Sequence, residues 1–296
     1  MSFKFFRKIS PHKKIVKKIK NRDFTKIEIA VISLIIVFCV SFYFLILKDL
    51  PLPTKLSSSQ NPQSTLIYDR NGVLLYNIYD KKNQTFIKLA TVPKYMQEAT
   101  IAIEDRNFYE HGAIDLRGMA RAFVSTVFHK QIQGGSTLTQ QLVKNSLLTQ
   151  EQTVLRKIKE VILAFSTEII YSKNQILEMY LNQSPYGGPA YGIEAASERY
   201  FGKHAKDLDL SESALLAGLP QSPTQYSPFG SKPELAKTRQ IEVLKAMLNQ
   251  GYISIVQEKK AESENLKYKK ISDSIKAPHF VLYIKDLLIA KYGEKT

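Results

Sequence analysis

Three stretches of this sequence gather groups that can move protons or hold anions. In the first, apolar Ala99, Ile101, Ala102 and Ile103 lead into Glu104-Asp105-Arg106-Asn107-Phe108-Tyr109-Glu110-His111-Gly112. Read as a helix ended by Gly112, this stretch sets Glu104 near the negative end of the helix dipole and against apolar surface. Both effects raise a carboxyl pKa and make the group a better proton acceptor than a surface carboxylate. Taken alone, the same residues also describe a charged helix end with local ion pairs. In the second stretch, Gly134 and Gly135 make a turn before Ser136-Thr137-Leu138-Thr139-Gln140-Gln141-Leu142-Val143-Lys144-Asn145. Ser136 or Thr137 can cap the helix, and Gln140 stands three residues after Thr137 as in a capping box. Capping leaves the gathering of Gln140, Gln141, Lys144 and Asn145 unexplained. A helix start with hydroxyls and a lysine suits phosphate.

The third stretch is Arg156-Lys157-Ile158-Lys159-Glu160. Leu155, Ile158, Val161, Ile162, Phe165 and Ile169 form one apolar stripe at helical spacing. Arg156 and Glu160 are i,i+4 neighbours on the opposite face, continued by Ala164 and Thr167. An exposed pair of this kind contributes only about 0.3–0.5 kcal/mol, but small residues along the same face imply that something packs closely there. Two later stretches, Ile176 to Asn182 with Tyr186-Gly187-Gly188 and Gly192 to Ala196, and Leu210 to Pro220 with Tyr226-Ser227-Pro228, read mostly as close helix packing and turns.

The elements that must position these groups follow from periodicity. Residues 65–79 alternate about Asn71-Gly72, the strongest short hairpin signal. After Pro93 the pattern is helical over 120–128, 137–148, 154–171, 175–181, 193–200, 211–219, 233–248 and 278–290. The expected fold is therefore mostly α, with a small N-terminal β-hairpin. With 296 residues, 44% of them apolar, the chain can bury a core. One cysteine, Cys39, excludes a disulfide framework, and the five histidines are scattered without metal-ligand spacing.

Net charge is +15, and much of it lies at the front: Lys4, Arg7, Lys8, Lys13, Lys14, Lys17, Lys18, Lys20, Arg22 and Lys26 face only Asp23. From Ile29 to Leu47 no residue is charged, and about 20 apolar residues span a bilayer core. No small-residue cleavage pattern follows, so the run reads as a transmembrane helix and not as a signal peptide. The basic excess before it places residues 1–26 in the cytoplasm and everything after Lys48 outside. Beside a membrane span, such a tail reads as a topology determinant that touches anionic lipid, and no nucleic acid is expected. The organisation expected is a basic tail (1–26), a transmembrane helix (27–47), a Pro- and Ser-rich stalk (48–65), a catalytic domain (66–230) and a helical extension or linker (231–296).

Together, in this order and behind a membrane anchor, the five stretches resemble the five motifs of the peptidoglycan glycosyltransferases (glycosyltransferase family 51). That domain occurs in class A penicillin-binding proteins and in monofunctional transglycosylases, and the likeness covers about 66–228. It implies a lysozyme-like helical fold at the outer face of the cell membrane and polymerisation of lipid II into β-1,4-linked glycan, with undecaprenyl pyrophosphate released. It places the general base on Glu104, in a motif that also holds Asp105, Arg106, Phe108 and His111. A second glutamate falls on Glu160, ordering the donor site and its pyrophosphate or an associated metal. Ser136, Thr137, Gln140, Gln141, Lys144, Asn145, Arg156 and Lys157 match the polar and basic group around the phosphates. Asn182 and Tyr186 match the wall of the cleft.

The resemblance implies no organic cofactor, a divalent cation (Mg or Mn) at the pyrophosphate, and lipid II, the growing strand, membrane lipid and cell-wall synthesis proteins as partners. Residues 113–128, with Ile114, Leu116, Met119, Phe123 and Phe128 among Arg117 and Arg121, are similar to the family's membrane-dipping subdomain; they also read as an ordinary core helix. Where many relatives carry an Arg before the third motif this chain has Gln152, which implies one phosphate contact fewer. A transpeptidase would need Ser-x-x-Lys, Ser-x-Asn and Lys-Thr-Gly together, and the set is incomplete here, so a truncated or split class A protein is expected. The alternatives are a lysozyme-like glycan hydrolase using Glu104 and Glu160 across a sugar cleft, and an inactive cell-wall scaffold.

Overall fold

The computed structural model describes residues 26–57, 64–72, 74–79, 82–120, 135–149, 151, 153–269 and 277–293. It divides into two units, Met1–Leu50 and Pro51–Thr296. In the first, helix α1 (Lys26–Phe42) runs on through a π-helical turn, Tyr43–Leu47. Together they form a 22-residue apolar helix of mean hydropathy 2.9, long and apolar enough to cross a bilayer.

The second unit is mostly helical. Its entrance is the expected hairpin: β1 (Thr65–Tyr68) pairs antiparallel with β2 (Leu74–Ile78), Ile67 opposite Tyr76. Asn71 N–H bonds the Asp69 side chain at 2.8 Å, and Gly72 takes the positive φ of 78° that the turn demands. Residues 51–57, expected as stalk, lie against the body. Leu56 is buried, and its carbonyl accepts from Gln183 Nε2 at 2.8 Å, because this segment offers apolar side chains the helices can cover.

Helix α2 (Lys94–Glu104) buries Met96, Ala99, Ile101 and Ala102. A two-residue strand β3 (Asn83–Gln84) comes before it in the chain. Helices α3 (Leu138–Leu147), α4 (Val154–Ile170) and α5 (Lys173–Gln183) form one group. β4 (Pro185–Gly187) and β5 (Ala190–Tyr191) follow and complete a three-stranded sheet in the order β3-β5-β4. Then come α6 (Ile193–Tyr200), α7 (Leu210–Gly218), α8 (Glu234–Asn249), α9 (Ile255–Ser263) and α10 (Pro278–Tyr292). Helix α2 packs between α7 and α8, so the helix bearing Glu104 is held by an element beyond residue 230.

One expectation is corrected. Helix α2 stops at Glu104 and not at Gly112, because Asp105 leaves helical geometry (φ −159°) to make tertiary bonds with its side chain. On α4, Leu155, Ile158, Phe165 and Ile169 are exposed among the described residues, whereas Glu160, Leu163, Ala164 and Thr167 are buried. The face with the charged pair is the packed one. Residues 121–128 of the expected helix, with Arg121, Phe123 and Phe128 and so half of the segment likened to a membrane-dipping subdomain, lie outside the described residues, as does Gln152.

Candidate active site

Glu104 is the last residue of α2, and its side chain is only 7% exposed. Oε2 accepts a hydrogen bond from Gln141 Nε2 at 2.8 Å. Among the described residues Oε1 is buried with no hydrogen-bond partner, and the nearest cation, Arg239 Nη2, stands 4.0 Å away. Burial raises the Glu104 pKa, and the bond from Gln141 and the charges of Arg239 and Lys144 pull it only part of the way back. Tyr180 and Tyr186 close the surroundings. Tyr180 Oη donates to Gln141 Oε1 at 3.3 Å, and the Tyr186 hydroxyl is buried without a partner. Burial, then the charge of Glu104, pushes the Tyr186 phenol above its ordinary range, so it stays a neutral potential donor beside the carboxylate.

The loop after Glu104 is fastened to α3. Asp105 is buried; its Oδ2 accepts from Leu138 N at 2.9 Å, and its Oδ1 lies 2.6 Å from His111 Nε2. The Asp105 carboxyl is raised above its usual value by burial, against the lowering effect of those two bonds. The start of α3 is the expected capping box, in which Thr137 Oγ1 accepts from Gln140 N and Gln140 Oε1 accepts from Thr137 N. Gln141 and Lys144, three residues apart, then share the face of α3 turned to Glu104.

The other half of the site joins the second and third stretches. Arg156 Nη1 bonds Glu160 Oε2 at 2.8 Å, Lys157 Nζ bonds Glu160 Oε1, and Lys157 Nζ also reaches Ser136 Oγ at 3.1 Å. Glu160 is 1% exposed, and Arg156 Nε is buried without a partner. Two cations on one carboxylate leave a net positive group with donors to spare, which suits an anionic ligand. The same pairing argues against a divalent cation on Glu160, since both of its oxygens are already engaged by positive charge.

Several expected site residues sit elsewhere. Gln140 and Thr137 serve the cap, and Phe108 is core, with Lys173 Nζ 4.6 Å from its ring centroid. Asn182 is buried and ties Ile87 at both N–H (2.9 Å) and carbonyl (2.8 Å), thereby positioning the strand-like run before α2. Arg106 is exposed, and Asn145 is partly exposed. Arg239 and Tyr180 were not singled out in the sequence. Arg239 interrupts the spacing of Ala236, Val243 and Met247, the buried stripe of α8, and a charge at a core position is the signal that could have found it. Its stem passes over Gly218, where an added Cβ would meet Arg239 Cγ at 2.7 Å.

The Transglycosylase family profile matches residues 71–248. The chain belongs to the transglycosylase family. Residues 51–296 thus contain a glycosyltransferase domain, and the match runs past position 230 to take in Arg239. Penicillin-binding protein 1A of Aquifex aeolicus is 41% identical over 273 residues, covering 91% of this chain and 37% of the relative. Penicillin-binding protein 1F of Bacillus subtilis is 43% identical over 235 residues, covering 78% and 32%. The chain spans about a third of the length of these relatives. Penicillin-binding protein 1A from Haemophilus influenzae, a 2.6 Å crystal structure, aligns with a TM-score of 0.44 at 23% identity, over 79% of this chain and 25% of that one.

Proposed function

We propose that this chain polymerises lipid II into β-1,4-linked glycan at the outer face of the membrane, with Glu104 as general base. The observation that carries the proposal is the state of Glu104. It is a buried carboxylate with raised pKa and one oxygen free of hydrogen bonds, flanked by the cations Lys144 and Arg239. Its free oxygen takes the proton of the acceptor sugar's 4-hydroxyl. The resulting oxygen nucleophile attacks C1 of the donor from the face opposite the pyrophosphate, so the configuration inverts. The C1–O bond breaks as the diphosphate leaves with its electron pair. Lys144, Arg156 and Lys157 offer positive charge where that negative charge develops, and Ser136 holds Lys157 in place.

Glu160 acts by orienting Arg156 and Lys157, not by touching the reacting atoms. This disfavours the hydrolase reading, which needs a second carboxyl free to work on sugar or water. The basic segment before α1 favours a cytoplasmic N-terminus and an extracytoplasmic domain. The exposed apolar face of α4, with Phe165 and Ile169, suits a domain working against the bilayer, where a polyprenyl substrate remains. Incubating the full chain in detergent with lipid II tests the proposal. Appearance of glycan polymer supports it, and shortening of added glycan without polymer formation overturns it.

A further inference from the structure

A second cluster of ligand-type side chains lies outside this site. Glu194 and Glu198, one turn apart on α6, share a face, and the chain returns through Gly202 to bring His204 onto it. Oxygen and nitrogen atoms from all three lie within 4.8 Å of one another. His204 Nδ1 is 2.6 Å from Glu194 Oε1 and 3.9 Å from Glu198 Oε1. Zinc bound at about 2.0–2.2 Å in a tetrahedral site separates its ligand atoms by about 3.3 Å, a value between those two. We propose that Glu194, Glu198 and His204 form a zinc-type divalent-cation site on the face of this domain between α6 and the entrance hairpin.

Three observations favour a ligand over a simple ion pair. Glu194 and Glu198 are two largely buried carboxylates side by side, at 8% and 13% side-chain exposure, and each raises the cost of the other's charge. Glu194 has the half-exposed imidazole at one oxygen and the Ala205 N–H at the other (2.9 Å), whereas Glu198 has that imidazole only at 3.9 Å, with the more distant charge of Lys269. From β2, the Asn77 carboxamide bonds Glu198, and its Oδ1 is buried without a partner. A half-turn of that carboxamide exchanges oxygen for nitrogen at little steric cost and offers a fourth ligand atom to the cluster. Lys269 bonds the backbone carbonyl of Glu198 at 3.2 Å, and its charge only partly offsets the burial of that carboxylate. Imidazole with carboxylates is the donor set of zinc, and of manganese more weakly. The site is absent from a reading of histidine spacing because two of its ligands are acids on a helix.

The test uses the full chain in detergent, stripped with chelator and then titrated with Zn²⁺ alone, reading bound metal per chain and Tm. The expected result is one more tightly bound Zn²⁺ per wild-type chain than per His204→Lys or Glu198→Gln chain, with a Zn²⁺-dependent rise in Tm in wild type only. His204→Lys keeps a cation for Glu194 but cannot ligate, so it separates the two roles, and its exposed position makes misfolding no obstacle. Equal zinc uptake by wild type and both variants overturns the proposal. So does uptake that vanishes only on His111→Ala, which would place the ion at Asp105, His111 and Asp115 instead.

Discussion

Glu104 and Glu160 are the same residue type, both buried, and both face arginine, yet they are held in opposite ways. Glu160 has both oxygens bonded to cations one helical turn away on its own helix. Glu104 has one neutral donor and an arginine held off at 4.0 Å. A carboxylate fixed between two cations organises its partners. One stripped of water and left half-partnered is poised to accept a proton. The difference lies in what each helix supplies: α4 provides its own counter-ions, whereas α2 ends at its glutamate and depends on α3 and α8.

The largest effect that would break this contrast is on turnover. Glu104→Gln is expected to lower lipid II polymerisation by about 10²- to 10⁴-fold, the usual contribution of a general base, while lipid II binding stays close to wild type. Near-normal turnover would remove the assignment. The same variant should raise Tm at pH 7. The Glu104 pKa is higher folded than unfolded, so its ionisation costs stability once the pH exceeds the unfolded value, and the cost is absent at lower pH. Glu160→Gln should do the reverse, losing about 3 kcal/mol of stability by leaving Arg156 and Lys157 without their anion. That figure is at the low end for a broken buried pair because Lys157 is 46% exposed. Thermal unfolding of the two variants side by side decides whether the contrast holds.

Arg239→Gln sharpens it. Removing that charge raises the Glu104 pKa further, so the acidic limb of the kcat/KM–pH profile moves to higher pH. An unchanged profile would separate Arg239 from the base. Gly218→Ala should shift the limb in the same direction but less, because its methyl group would displace the arginine stem. The smallest effect expected is on the helix start. Thr137→Ala should lose about 1 kcal/mol of stability through the missing cap, measured by denaturant unfolding.

Local chemistry made much of this legible. Asn71-Gly72 announces the hairpin, and Thr137 with Gln140 announces the start of α3, because each signal is complete within four residues. The same logic was available for Ser254 and Gln257 at α9, an element without a strong apolar stripe to attract notice. The end of α2 was not legible, since Asp105 leaves the helix for Leu138 N and His111, partners that only the folded chain brings near. Gly112, the obvious breaker, has open space where a Cβ would stand and ends nothing. The packed side of α4 was legible only through Ala164 and Thr167, the small residues that continue the face of the ion pair. Hydrophobic spacing marks one side of a helix as apolar, but it does not tell whether protein lies there, and here the buried ion pair took the inside.

Asp105 sits one residue from the base and grips the first backbone amide of α3, while Gln141, one turn further along the same helix, grips the base itself. The proton acceptor and the cationic half of the site are thus bolted to a single rod at two points. Under the proposed mechanism, a diphosphate held by Lys144 and Ser136 would bear on the same helix that holds the carboxylate through Gln141. On that mechanism, loading the donor and aiming the base would be coupled through one helix.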